Sequence, residues 1–126
     1  MDRKSISDSE WKVMEILWRQ PSVTLSEIVE ALSGSGWSYS TIKTLLMRLM
    51  NKGYVTADKT SKNFRYSAVI SEEACRLKEA RGFLDKVFSG SVSLLVAALT
   101  KEAKITEQER KELLQLIESM DKEEGR

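Results

Sequence analysis

Histidine is absent from all 126 residues, and cysteine occurs once, at Cys75. The first absence removes Ser-His-Asp and Cys-His catalysis, imidazole proton transfer and every histidine-containing zinc site. The second excludes an intrachain disulfide, and Cys75 reads as a small residue near a helix start rather than a redox sensor. No apolar run approaches the ~20 residues needed to span a bilayer; the longest, Val92 to Leu99, includes Ser93. The opening "MDRKSISDSE" has charges but no apolar core of a secretory signal. A cytoplasmic protein without membrane contact is therefore expected. Carboxylates are plentiful, but nearly all sit on helix faces beside Lys or Arg, as solvated surface does. With no candidate nucleophile or base, no catalytic residue, metal or cofactor is expected, and an enzyme is the least supported class.

One further absence points somewhere. The formal net charge is +1, yet no Asp or Glu occurs from Trp37 to Ala57. Residues 37–70 hold Lys43, Arg48, Lys52, Lys59, Lys62 and Arg65 against Asp58 alone, a net of +5, and the segments on either side are each −2. Such clustering is the electrostatic footprint of a phosphate-binding surface, although the overall charge hides it.

What is present organises the chain. Ser7-Asp8-Ser9-Glu10, Thr24-Leu25-Ser26-Glu27 and Thr106-Glu107-Gln108-Glu109 are capping boxes, which start helices near residues 8, 25 and 107. The first helix runs to about Arg19 with Trp11, Met14, Leu17 and Trp18 on one side. Both tryptophans are expected in the core, and Pro21 ends the helix. The second carries Leu25, Ile28, Val29 and Leu32 and breaks at "SGSG". The third starts at Ser38 or Ser40 and ends at Asn51-Lys52-Gly53, with Gly53 as a left-handed cap. The period then becomes two-fold: "YVTAD" and "FRYSAV" flank "KTSKN", a β-hairpin. Helix, helix, turn, helix, hairpin is the order of a winged helix-turn-helix.

Beyond Ile70 the chain reads as helical. Ser71 caps a helix whose stripe is Leu77, Leu84, Val87 and Phe88, and Ser89-Gly90 end it. "SVSLLVAALTK" is apolar nearly all round and must be covered on every side. The last helix offers Leu113, Leu114, Leu116, Ile117 and Met120. Three helices of some fifty residues make a marginal core alone, and a second copy of the chain is the simplest remedy. The fold class is thus mainly α with a small β-hairpin: a winged helix-turn-helix at 1–70, for DNA binding, and a three-helix dimerisation region at 71–126. A two-fold homodimer is expected, with Leu77, Leu84, Val87, Phe88, Leu94, Leu95, Leu99, Leu113, Leu114 and Ile117 in its interface.

The third helix has two faces. With Ile42 at 0° and 100° per residue, Leu45, Leu46 and Leu49 lie within about 60° of it and form a buried stripe. Ser40, Lys43 and Met47 fall at about 100–160°, and Thr41, Thr44, Arg48 and Asn51 at about 180–260°. Hydroxyls, two cations, an amide and an outward-facing methionine are what a DNA major groove asks for. Arg or Lys donates to guanine, hydroxyls meet base edges or phosphates, and methionine offers an apolar contact. Lys59 and Lys62 at the hairpin tip and Arg65 on its returning strand are placed to clamp a phosphate backbone. The expected DNA-binding set is Ser40, Thr41, Lys43, Thr44, Met47, Arg48, Lys59, Lys62 and Arg65.

"SDSEWKVMEILW", "SYSTIKTLLMRLMNKGYV", "FRYSAV" and "SLLVAALT" resemble successive blocks of the penicillinase-repressor family, over residues 6 to about 118. The most specific part is Thr41-Ile42-Lys43-Thr44 with Arg48-Leu49 and Lys52-Gly53. The resemblance implies a dimeric winged-helix repressor that binds operator palindromes with its third helix in the major groove. It also implies a dimer of interlocked C-terminal helices. Thr41, Thr44 and Arg48 match the family's recognition helix, whereas Lys43 stands where better-known members have Arg. Ser40 replaces a frequent Lys and Met47 a smaller residue, so a shifted base preference is expected. β-Lactam-sensing members are cut at an Asn–Phe bond in the block that corresponds to "SLLVAALT", and Ala97-Ala98 stand there in this chain. Copper-responsive relatives carry paired cysteines near the C-terminus, where this chain reads "DKEEGR". The inducer or protease that relieves repression, the operator and the regulated genes stay open.

Two other readings compete. One is a winged-helix protein-interaction module with Met47 and Met50 as contacts and no specific DNA readout. The other keeps the dimer and adds a small-molecule pocket at the domain junction.

Overall fold

A computed structural model describes residues 4–102 and 105–124, apart from the side chains of Ile117 and residues 120–124. The chain divides into two compact units, Met1–Gly82 and Phe83–Arg126. The first contains α1 (Asp8–Arg19), β1 (Val23–Thr24), α2 (Leu25–Ala31), α3 (Tyr39–Asn51), β2 (Val55–Asp58), β3 (Arg65–Ala68) and the start of α4 (Glu72–Phe88). The second holds the end of α4, α5 (Val92–Lys101) and α6 (Glu107–Glu124). The division falls inside α4 rather than where the β structure ends near residue 70. The reason is Cys75, which the first turn of α4 carries, fully buried, into the first unit's core.

The helix starts follow from local chemistry. Ser7 Oγ accepts from Glu10 N–H and Glu10 Oε1 accepts from Ser7 N–H; Thr24 with Glu27 and Thr106 with Glu109 repeat the exchange. Each pair satisfies two backbone donors that a helix end leaves unpaired. Ser38 caps α3 by accepting from Thr41 N–H at 3.2 Å. Past its C-terminus Gly53 takes φ +87°, a left-handed turn that a side chain would strain, and the chain reverses into β2.

The hairpin pairs β2 with β3 antiparallel, Ala57 opposite Tyr66 and Asp58 opposite Arg65. β1, which the sequence did not announce, pairs with the other edge of β3 and makes a three-stranded sheet of order β1-β3-β2. It anchors the returning strand of the wing to the start of α2. The core beneath is built from Val13, Met14 and Leu17 of α1, Ile28 of α2, and Ile42, Leu45, Leu46 and Leu49 of α3, closed by Tyr54, Val55 and Tyr66. Trp11 and Trp18 meet edge to face at 5.1 Å at its margin, half-buried, and Trp18 Nε1 donates to Ile70 O.

In the second unit α5 is capped by Ser91. Its apolar side chains are not buried within the chain, and Leu94 remains 55% exposed. Val87, Leu114 and Leu116 are also exposed, and Phe88, Leu95, Leu99 and Leu113 are half-buried. Leu84 departs from the expected interface set because it is already buried in the single chain. The side chain of Ile117 lies outside the described residues. Phe83, which the stripe reading passed over, is exposed and packs edge to face on Phe88 at 5.9 Å. In the first unit, Leu77 is 65% exposed.

Candidate nucleic-acid interface

α3 meets the core through Ile42, Leu45, Leu46 and Leu49, all buried, so its remaining circumference is committed to other uses. The hairpin divides that remainder in two. Tyr39, Lys43, Met47 and Met50, at about 60–140° from Ile42 on the wheel, line a groove beneath the wing. Thr41, Thr44, Arg48 and Asn51 lie on the exposed flank beyond it. Met47 therefore departs from the sequence expectation. It is half-buried against the core and faces the groove, because the wing folds over that side of the helix.

At the start of α3 the hydroxyls are organised among themselves. Ser38 Oγ lies 3.1 Å from Ser40 Oγ and donates to Thr41 Oγ1 at 3.0 Å, and Thr44 Oγ1 donates to Ser40 O at 2.9 Å. The turn holds these oxygens in fixed positions with acceptor capacity left over.

The cations of the basic block separate into two groups. Lys43, Arg48 and Lys62 are exposed and make no ion pair or hydrogen bond among the described residues. Lys59 has, among the described residues, only the ring of Phe64, 5.7 Å from its Nζ. Lys52 and Arg65 are engaged within the fold. Lys52 Nζ contacts Glu10 Oε1 at 2.6 Å and donates to Ser5 O. Arg65 Nη1 donates to Ser22 O at 3.1 Å and lies 4.0 Å from Glu27. Arg65 thus sits on the sheet side of the wing, half-exposed, tying β3 to the segment before α2. Asp58, the block's lone acid, is turned inward onto the wing. Its Oδ1 accepts from Thr60 Oγ1 and Thr60 N–H, bonds which, with the charge of Arg65, hold its carboxyl below the usual aspartate range.

The groove between α3 and the wing has a volume of about 370 Å³. Leu25, Met47, Met50, Ala57 and Tyr66 give it an apolar floor, and Lys43, Lys59 and Lys62 stand on its rim beside Tyr39 and Phe64. Among the described residues no acid lines it. Tyr39 and Phe64, 54% and 41% exposed, escaped the sequence reading. The signal for Tyr39 was its wheel position between the core stripe and Lys43; Phe64 gave none, since the partner that frames it is across the hairpin.

Among the described residues no single helix is long and apolar enough to cross a membrane. Nor do three His, Cys, Asp or Glu side chains gather as a metal site would require.

Comparison with known proteins sets this geometry beside characterised ones. A profile of the penicillinase repressor family matches residues 6–119. The methicillin resistance regulatory protein MecI of Staphylococcus aureus strain N315 is 32% identical over 120 residues, 93% of this chain and 98% of that protein. The penicillinase repressor of Bacillus licheniformis is 32% identical over 114 residues, 90% of this chain and 89% of its own. Among solved structures, the DNA-binding domain of the repressor BlaI superposes with a TM-score of 0.51 at 36% identity, over 57% of this chain and 90% of that one. Monomeric B. licheniformis BlaI in complex with the blaP half-operator gives 0.50 at 36% identity, over 57% and 89%.

Proposed function

This chain belongs to the penicillinase repressor family, winged-helix regulators of transcription and not enzymes, and we propose that it represses as a homodimer on a palindromic operator. The observation that carries the reading is the solvent side of α3, free of acids: among the described residues Arg48 on its outer flank and Lys43 at the groove make no ion pair, nor do Lys59 and Lys62 of the wing. Arg48 reads a guanine edge from the major groove, and Thr41 and Thr44 flank it at base edges or phosphates. Lys43, Lys59 and Lys62 take phosphates on either side of the groove entrance and fix the register of the helix. Ser40 supports the same turn, and Arg65 contributes positive potential from its place on the sheet. BlaI bound to a half-operator supports DNA as the partner. Such a regulator works beside the chromosome, in the cytoplasm.

The dimer rests on residues 71–126, and its motive is the apolar surface that α5 and α6 leave uncovered in one chain. A two-fold pair would present two recognition helices to two half-sites. The interaction-module alternative loses support, since Met47 and Met50 are half-buried in the groove rather than offered to a protein surface.

Selection of bound duplexes from a random pool at moderate salt tests the proposal. An inverted repeat with half-sites about one helical turn, or a small multiple, apart is expected. Bound DNA without a shared motif would reduce the basic block to non-specific attraction.

A further inference from the structure

We propose that the groove between α3 and the wing binds a small planar aromatic acid, and that its occupation releases DNA. Releasing DNA rests on the repressor reading above; binding the acid does not.

The rim and the floor of the groove differ in chemistry. Lys43, Lys59 and Lys62 all line the groove, with no carboxylate among its described lining residues, so an anion bound there gains from three positive charges and meets no opposing acid. A DNA phosphate would do this at the rim but would leave the apolar floor empty. That floor is made of Met47, Met50, Ala57 and neighbouring aromatic and aliphatic side chains. Thioethers pack well against aromatic edges, and the volume of about 370 Å³ falls within the ~300–1,000 Å³ range of ligand pockets. An aromatic ring on the floor with its carboxylate at the rim satisfies both halves of the site. A neutral ring would ignore the lysines, and a bare phosphate would ignore the floor.

The consequence for DNA follows from shared residues. Lys43, Lys59 and Lys62, which line the groove, are the same lysines that the proposed complex sets against DNA phosphates. A bound carboxylate neutralises lysines that DNA needs, so ligand and DNA exclude one another and each weakens the other by the same factor.

The test uses the full-length protein and 2-naphthoate, with naphthalene as the neutral control and inorganic phosphate as the charge-only control. Followed by amide chemical shifts without DNA, 2-naphthoate is expected to give saturable changes confined to residues 24–26, 39–50 and 57–66. Its binding should be at least tenfold tighter than that of either control. Ala57→Leu, which fills the floor, should weaken it tenfold or more. Lys62→Ala, at the exposed wing tip, should weaken it severalfold without relying on a core change. Equal binding of naphthalene, changes confined to residues 83–124, or unchanged affinity in both variants would overturn the site.

With a selected duplex, saturating 2-naphthoate is expected to lower DNA affinity at least fivefold in the native protein but not in Ala57→Leu. Tight binding of the acid with unchanged DNA affinity would overturn the release step. Failure of the protein to select any duplex would sink the repressor reading, while the shift experiment would still decide the site.

Discussion

Glu10 shows how one side chain can serve two purposes. It closes the capping box of α1 and, with 2% of its side chain exposed, pairs with Lys52 from the end of α3. Burial alone would raise its pKa; the hydrogen bond and charge of Lys52, with the Ser7 N–H, outweigh that and hold the carboxyl below the usual glutamate range. A folded pKa below the unfolded one gives stability that is present above the unfolded value. That stability is lost as pH falls through the folded value, so urea titrations should show the protein weakening below about pH 4.5. Glu10→Ala removes half the cap and leaves Lys52 without its buried partner, at an expected cost of about 2–4 kcal/mol. A cost below about 1 kcal/mol would put the pair in the class of exposed ones. The capping role was legible in the sequence because it spans three residues. The pairing was not, since its partner is 42 positions away and only the packing of α1 on α3 brings them together. Arg48 is the opposite case: its exposure was readable from the wheel alone, and its role in DNA binding is the proposal above. Arg48→Ala should lower affinity for a selected operator by about 1–3 kcal/mol and relax preference at one base pair. Equal affinity in a binding titration would remove it from the contact set.

At the scale of elements, α3 and the wing differ in what they are expected to read. Wing lysines touch phosphates in the proposed complex, so Lys59→Ala and Lys62→Ala should each flatten the slope of log affinity against log salt by about 0.9. They should do so alike for specific and random duplexes, unlike Arg48→Ala. Fluorescence anisotropy at several salt concentrations would measure both, and an unchanged slope would take the wing off the backbone. Helix starts at Ser7, Thr24, Ser38 and Thr106, and the reversal at Gly53, could be read because each depends on a few adjacent residues. The hairpin announced itself through its two-fold period. β1 did not: two residues carry no period, and Thr24 was already spoken for as a cap. The groove was hidden for a related reason, because its walls belong to different elements and only the fold of the hairpin over α3 closes it.

For the molecule as a whole, the proposed dimer makes stability depend on concentration. If the exposed side chains of α5 and α6 are covered only by a second chain, the denaturation midpoint should rise with protein concentration. Leu94→Glu should then give a monomer by sedimentation, with a midpoint that no longer moves. A concentration-independent midpoint in the native protein would remove the interface. The other end of the chain has a quieter consequence. Tyr54 Oη donates to Lys4 O and Lys52 Nζ to Ser5 O, so the leading segment is fastened to the joint where α3 turns into the wing. A tag fused ahead of residue 4 is therefore joined to a segment hydrogen-bonded to the proposed DNA-binding unit, and DNA affinities of this protein are best compared with the tag present and removed.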